Sequence, residues 1–241
     1  MTKHINLSKT LAYVYMPVLF ALIGYFLLFV ALKPVFQTAS AAANFLIADD
    51  VPVFSPELET IFDPEAASRA AVDYHIDEKT GRPYIKVEDI DLPTAGTRYA
   101  NLTCDRIELN APVYWDDTSS ILRAGAGQSL ASFLPGFGRI IILSAHNTTY
   151  FAPLEYIEEG DIIKFDTNYC RYEYEVFAVE VMDEKALEQL FTQKYREEEE
   201  RLYIYTCYPF GPHVGRKTDR LVAIANRKAG CDVKWKASQY E

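Results

Sequence analysis

Tyr-Ile-Tyr-Thr-Cys, residues 203–207, is an apolar and aromatic run of strand character that carries a thiol at its end. A proline and a glycine follow within four residues and stop the run, since neither continues a strand well. Two further apolar runs flank useful side chains: residues 221–225 follow Arg220, and residues 139–145 precede His146. The sequence therefore predicts a thiol, a guanidinium and an imidazole at three strand ends.

Short apolar or alternating runs continue this pattern from residue 84 onward, with turn residues between them. They are residues 107–113, 139–143, 161–165, 172–181, 202–205 and 221–225. This spacing predicts a mainly β domain with mostly antiparallel strands, either a barrel or a sandwich.

Two helical windows interrupt the β pattern, at residues 119–124 and 183–201. The second window ends in four consecutive glutamates, residues 197–200. An acidic run on a helix is usually a solvated face, so we expect these carboxylates to face water rather than to bind a cation.

The N-terminal region has a different character. Residues 11–32 carry no charge, and 22 helical residues span about 33 Å, close to the thickness of the bilayer hydrocarbon. Lys3 and Lys9 precede this run without any acidic neighbour, and acidic residues follow it. The positive-inside rule therefore predicts a single-pass transmembrane anchor with residues 1–10 in the cytoplasm and the chain beyond residue 33 outside the cell. A cleaved signal peptide is the alternative, because residues 39–43 offer small-residue cleavage sites.

Charge and cysteine content exclude some classes of function. A net charge of −10 argues against a nucleic-acid partner, which needs a basic surface. The cysteines, Cys104, Cys170, Cys207 and Cys231, have no metal-ligand spacing, so we expect no metal and no other cofactor. Outside the cell a disulfide is permitted, and at most one can form if Cys207 stays a free thiol. We favour packed structural roles for the other three.

A thiol at a strand end suits acyl transfer, which needs the thiolate and a proton donor for the leaving amine. We expect His146 to be that donor, because it directly follows a hydrophobic strand and is held rigidly. His213 is the weaker candidate, since glycines and a proline surround it in a surface loop.

A guanidinium can stabilise an oxyanion or hold substrate carbonyls, and Arg220 is the best placed arginine for this role. Its other interpretation is a strand-edge charge paired with Asp219. Arg216, in the loop, and Arg227, which we expect beyond the strand, are its competitors.

Together these residues resemble the signature of sortases, the membrane-anchored cysteine transpeptidases of Gram-positive bacteria. The clearest parts are Thr-Cys-Tyr-Pro-Phe at residues 206–210 and Arg-Leu-Val at residues 220–222. Upstream segments are similar in the same order: residues 111–114, 122–127, 134–138 and 143–147. The resemblance covers residues 99–227.

The resemblance implies an eight-stranded sortase-type β-barrel with a few helices as the catalytic domain, residues 96–230. Residues 33–95 would be an extracellular stalk or N-terminal extension, and residues 231–241 a C-terminal tail. The implied substrate is a Leu-Pro-x-Thr-Gly-like sorting signal, or an Asn-Pro variant, at the C-terminus of a secreted protein. The acceptor would be an amine of a cell-wall precursor or a pilin lysine.

The resemblance also implies residue roles. Cys207 would form a thioacyl enzyme, His146 would move the protons, and Arg220 would hold the substrate and the oxyanion. Substrate-binding roles fall on Thr206, Tyr208 and Asn147.

Two departures from the common pattern bear on subclass: Tyr203-Ile204 replaces Thr-Leu, and Ser144-Ala145 replaces Ala-Gly. No second hydrophobic segment stands near residue 241, which favours an anchoring sortase of class B or class D. The alternatives are a pilin-polymerising sortase, another cell-wall cysteine peptidase such as a papain-like enzyme or an L,D-transpeptidase, and a non-catalytic anchored β-domain with an inert Cys207.

Overall fold

The computed structural model describes residues 16, 19–25, 58–64, 74–211, 213 and 215–235. The chain divides into two compact units, Met1–Ala48 and Asp49–Glu241. In the first unit residues 19–25 are helical, but most of the predicted transmembrane segment, residues 11–32, lies outside the described residues, as do residues 1–10. Within the part of the chain that the structure describes, no helix has both the length and the apolar character needed to span a bilayer.

The second unit contains a closed barrel of eight strands. They are β3 (Arg98–Cys104), β4 (Leu109–Trp115), β5 (Ala126–Gln128), β6 (Ile141–Ser144), β7 (Ile162–Thr167), β8 (Arg171–Asp183), β9 (Arg201–Tyr208) and β10 (Asp219–Ala229). Their order around the barrel is β10-β8-β7-β3-β4-β5-β6-β9, and β9 pairs back to β10. The β4–β5 and β6–β9 pairs are parallel and the others are antiparallel. The prediction of an eight-stranded, mainly β barrel is confirmed.

A small three-stranded sheet accompanies the barrel. Its strands are β1 (His75–Ile76), β2 (Pro83–Lys86) and β11 (Asp232–Lys234). β2 pairs antiparallel with β1 and parallel with β11. Part of the predicted extension and the first residues of the predicted tail therefore pair with each other.

Helices are few, as expected. α1 (Ser119–Ala124) has the predicted bounds, and three short 3-10 turns occur at Val87–Asp89, Asp105–Ile107 and Ala152–Tyr156. α2 (Glu184–Lys194) begins after Asp183, whose carboxylate accepts the Ala186 N–H at 2.9 Å. α2 ends seven residues before the predicted end at residue 201, because the chain leaves the helix and enters β9 at Arg201.

The barrel interior is filled by large aromatic side chains. β8 shows why: Tyr172, Tyr174 and Val176 alternate with glutamates, so that one face of the strand is buried and the other is not. The hydroxyl groups of Tyr169 and Tyr172 both donate to the Pro135 carbonyl, at 2.8 and 3.1 Å. A second apolar cluster packs α2, through Leu187, against the outer faces of β6, β9 and β10. This packing holds α2 beside the ends of those strands.

Glu200 departs most from the sequence expectation. Glu200 is only 8% exposed, and its carboxylate accepts hydrogen bonds from the N–H groups of Gly136 and Gly138 at 3.1 and 2.9 Å. It also accepts the Tyr174 hydroxyl at 2.7 Å and pairs with Arg227 at 3.1 Å. Burial raises the pKa of Glu200, and Arg227 opposes that shift. The predicted solvated face is therefore wrong for this glutamate.

The neighbouring glutamates behave as predicted. Glu198 is exposed and pairs with Arg139 at 3.3 Å, and Glu199 is exposed and pairs with Arg201 at 2.6 Å. The expectation that Arg227 lies past its strand is wrong, because β10 continues to Ala229.

Candidate active site

A cleft of about 510 Å³ lies at one end of the barrel. Side chains from α1, α2, β9, β10 and the segment after β6 line it, and Cys207, His146 and Arg220 are all among them. The structure thus brings together the three residues that the sequence singled out. Their catalytic roles remain predictions.

Strand pairing explains this convergence. Arg220 on β10 stands directly opposite Cys207 on β9. β6 and β9 are parallel, and their last pair is Ser144 with Tyr205. His146 and Cys207 each follow that pair by two residues, and because parallel strands end at the same edge, both side chains reach the same cleft.

Access distinguishes Cys207 from the other cysteines. Cys207 is half-buried and lines the cleft, whereas Cys104, Cys170 and Cys231 are buried. All four are free thiols in this structure. Only Cys207 combines access to solvent with a cleft that could hold a substrate.

Arg220 is fixed at the start of β10 and is 13% exposed. Its Nη1 donates to the carbonyls of Lys217 and Asp219, both at 2.9 Å. Its Nη2 contacts the Glu184 carboxylate at 3.3 Å, and Arg216 binds the same carboxylate at 2.8 Å. The carboxylate partner of Arg220 is therefore Glu184, while Asp219 contributes only its main-chain oxygen.

Glu184 is a cleft residue that the sequence did not indicate. It is the first residue of α2, and Leu187 and Phe191 from the same helix also line the cleft. The only local signal was its place after the capping Asp183. Nothing in the sequence shows that α2 packs beside β10.

The three predicted substrate-binding residues differ in accessibility. Tyr208 is 36% exposed and its ring packs edge-to-face with Phe210. Thr206 and Asn147 are buried, and their polar groups bind main-chain oxygens. Thr206 Oγ1 donates to the Ala145 carbonyl at 2.7 Å. Asn147 Nδ2 donates to the Cys207 carbonyl at 2.7 Å. Tyr208 is thus the member of this group best placed to contact a ligand.

No cluster of three or more histidine, cysteine, aspartate or glutamate side chains is arranged to hold a metal ion among the residues that the structure describes. The polar groups of the cleft include the thiol, the imidazole, the guanidinium, nearby carboxylates and the hydroxyl groups of Ser144, Tyr205 and Thr206. A thiol, an imidazole and a guanidinium in one cleft are the functional groups that a cysteine-dependent acyl-transfer enzyme uses.

Comparison with known proteins agrees with this class. The family model for the sortase domain matches residues 102–228. Sortase D of Bacillus subtilis (strain 168) is 27% identical over 135 residues, which are 56% of this chain and 66% of that protein, just under two thirds of its length. The chain belongs to the sortase family, whose members are cysteine transpeptidases.

A solved structure supports the same fold. A Clostridium perfringens sortase D5 transpeptidase has a TM-score of 0.50 and 19% identity, over 57% of this chain and 83% of that one. Sortase C from Clostridium perfringens SM101 has a TM-score of 0.49 and 23% identity, over 57% and 73% of the two chains.

Proposed function

We propose that this chain is a membrane-anchored cysteine transpeptidase that cleaves a Leu-Pro-x-Thr-Gly-like sorting signal in secreted proteins and joins them to an amine of the cell wall. The observation that carries the proposal is the meeting of Cys207, His146 and Arg220 in one cleft. The proposed catalytic domain lies outside the cell, held by residues 11–32.

The reaction follows from the chemistry of these three groups. The Cys207 thiolate attacks the carbonyl carbon of the threonine in the signal, and the new oxyanion is stabilised by Arg220. His146 gives its proton to the departing amine as the C–N bond breaks, leaving a thioester on Cys207. An acceptor amine then attacks the thioester carbon, His146 takes a proton from that amine, and the C–S bond breaks to release the Cys207 thiolate and the new amide.

The lining of the cleft supports a peptide substrate. Leu122, Leu187 and Phe191 provide apolar surface for the side chains of a leucine-proline pair, next to the polar groups that would react. Arg220 already donates to two carbonyl groups of its own chain, and a guanidinium held in this way can donate to a substrate carbonyl oxygen without reorganising. We propose anchoring rather than polymerising activity, of the class B or class D kind, and the similarity to a sortase D supports the class D alternative.

The test is turnover of a panel of fluorogenic sorting peptides, with and without hydroxylamine or a triglycine acceptor. We expect Cys207→Ala to abolish turnover, and His146→Ala and Arg220→Ala to lower kcat/KM by about 100-fold or more. His213→Ala is the matched control for His146, because His213 is exposed and lies outside the cleft lining. Wild-type turnover by Cys207→Ala would refute the mechanism.

Two further measurements address the acceptor and the location. Supplying a pilin lysine peptide in competition with a cell-wall amine shows which nucleophile resolves the thioester faster. Fractionation of cells that express the full chain tests the anchor, and we expect the chain in the membrane fraction. Protease added to intact cells tests the orientation, and we expect it to digest residues 96–230.

A further inference from the structure

The pairing of β6 with β9 ends before it reaches the two reactive residues. Ser144 and Tyr205 form the last pair, and Cys207 and His146 lie beyond it. Main-chain hydrogen bonds between these two strands therefore do not set the separation of the thiol and the imidazole.

Two side chains continue the connection from opposite directions. Thr206, on the cysteine strand, donates from Oγ1 to the carbonyl of Ala145 at 2.7 Å. Asn147, after the histidine, donates from Nδ2 to the carbonyl of Cys207 at 2.7 Å. Each bond joins a neighbour of one reactive residue to the segment that carries the other.

Asn147 makes a second bond, from Nδ2 to the Pro209 carbonyl at 3.1 Å. A side-chain amide nitrogen has two hydrogens, so both donors of Asn147 are used by the chain itself. Asn147 is 8% exposed and Thr206 is 1% exposed, so water does not readily replace these bonds. A substrate could use the Asn147 donors only by breaking the bonds to the cysteine segment.

We propose that Asn147 and Thr206 are positioning residues that hold the Cys207 main chain in register with His146. The inference rests on the proposed transpeptidase function and replaces direct substrate binding as the role of these two side chains. Acyl transfer needs the sulfur and the proton donor placed within a fraction of an ångström, and a displacement of about 1 Å can cost about 100-fold in rate.

The variants Asn147→Ala, Asn147→Asp and Thr206→Val separate the two roles in steady-state kinetics. We expect kcat to fall by about 10- to 100-fold with KM within twofold of wild type. Asn147→Asp puts an oxygen against two carbonyl oxygens and should fall furthest, whereas Thr206→Ser keeps the hydroxyl and should restore most of the rate. In the Thr206→Val, Asn147→Ala double variant the loss should differ from the product of the single losses, because both bonds hold the same two segments.

Asn101→Ala is the matched control, since Asn101 Nδ2 donates at 2.9 Å to Asn110 on an exposed part of the barrel. We expect it to keep the wild-type kcat. Thermal unfolding of each variant is measured first, and Thr206→Val with Thr206→Ser as its conservative comparison tests the same connection if the Asn147 variants do not fold. A raised KM with unchanged kcat would return Asn147 to substrate binding and overturn the proposal, as would an unchanged kcat and KM.

A second readout is independent of turnover. The rate of Cys207 alkylation by iodoacetamide is measured against pH in wild type, Asn147→Ala and Asn101→Ala. We expect the midpoint of this profile to move only in Asn147→Ala, because the thiol and imidazole shift apart. If no peptide is turned over, the proposed substrate is wrong, and an unmoved midpoint separately refutes the positioning role.

A different observation concerns the buried pair Cys170 and Cys231. The main-chain N–H of Cys231 donates to Cys170 Sγ at 3.0 Å, so the sulfur of Cys170 lies directly against the main chain of Cys231. The Tyr172 hydroxyl contacts Cys231 Sγ at 3.5 Å. Cys104 belongs to another part of the barrel, beside Arg106 and Asp161.

We infer that Cys170 and Cys231 form a disulfide in the chain outside the cell. Both S–H bonds are lost, an S–S bond forms, and the two electrons and two protons pass to the disulfide of an extracytoplasmic thiol oxidase, which becomes a dithiol. The bond would join residues 61 positions apart, tying the start of β8 to the turn before β11.

Protein purified from the cell envelope, or equilibrated with oxidised and reduced glutathione, is denatured and alkylated without reductant. We expect two alkylated thiols, Cys104 and Cys207, and a Cys170–Cys231 peptide 2 Da lighter than its reduced parts. Reduction should lower Tm by about 10 °C in wild type but not in Cys170→Ala. Four alkylated thiols, both in protein from the cell envelope and after equilibration with glutathione, would overturn the inference. This outcome does not depend on whether the sorting peptides are turned over.

Discussion

Replacing Glu200 with alanine is expected to be among the most destabilising single changes in the barrel. The Glu200 side chain is 4% exposed and the Arg227 side chain 12% exposed. The substitution removes the acceptor for the N–H groups of Gly136 and Gly138 and for the Tyr174 hydroxyl. It also leaves Arg227 with Asp232 as its remaining carboxylate partner.

The magnitude follows from burial. Removing one partner of a buried ion pair costs about 3–5 kcal/mol, and each buried polar group left without a partner costs about 1–3 kcal/mol. Because Asp232 still pairs with Arg227 and water can enter the space, we expect about 3–5 kcal/mol in total. For a domain of this size, that corresponds to a fall in Tm of roughly 6–20 °C.

Glu198→Ala is the matched control, two residues away in the same acidic run. Its side chain is 85% exposed and its ion pair is on the surface, so the cost should be about 1 kcal/mol or less. The free energy of unfolding is measured by urea denaturation of both variants and wild type, with Tm by circular dichroism. If Glu200→Ala costs no more than Glu198→Ala, the buried network does not support the barrel as we describe.

Three other outcomes are expected. Arg106 hydrogen-bonds to Asp161 and lowers the pKa of that carboxyl group. The stability that this pair contributes is therefore present above the ordinary carboxyl pKa and is lost as the pH falls. When the free energy of unfolding is measured against pH, Asp161→Asn should show a smaller loss of stability in acid than wild type does. Gly136→Ala should lower the free energy of unfolding more than Gly160→Ala does. Both glycines have φ of +92°, but of the two only Gly136 is placed so that the new Cβ would meet neighbouring atoms. Urea denaturation of the two variants tests this, and equal losses would contradict it. Arg220→Lys should lower kcat/KM by about 10-fold or more although it keeps the charge. The reason is that an ammonium group cannot hold the two carbonyls and a substrate in the planar arrangement of a guanidinium. A wild-type kcat/KM in the sorting-peptide assay would contradict this.

Strands with strong local patterns were predictable, and weak ones were not. Tyr172 and Tyr174 alternate with glutamates, so β8 could be recognised from its period of two. β5 is Ala-Gly-Gln and has no such period. It is a strand because it pairs with β4 on one side and β6 on the other. Its Gly127 lies where a Cβ would meet the main chain of Asp116 and Asp117, a requirement set by packing alone.

The same distinction applies to the acidic run. Glu198, Glu199 and Glu200 have equivalent local sequence, yet only Glu200 is buried. Its environment comes from the 136–138 turn and from Arg227, which are 62 to 64 and 27 positions away. No property of the run itself could identify the buried member.

The sequence by itself determined which groups stand at strand ends, because the apolar runs and the residues that stop them are local. Cys207, His146 and Arg220 could be named on that basis, and so could the β class of the domain. Only the tertiary structure decided the strand order, the binding of Asn147 to the Cys207 carbonyl and the pairing of Glu184 with Arg220. These depend on contacts between distant segments, whose partners are chosen by barrel closure and packing rather than by any local pattern.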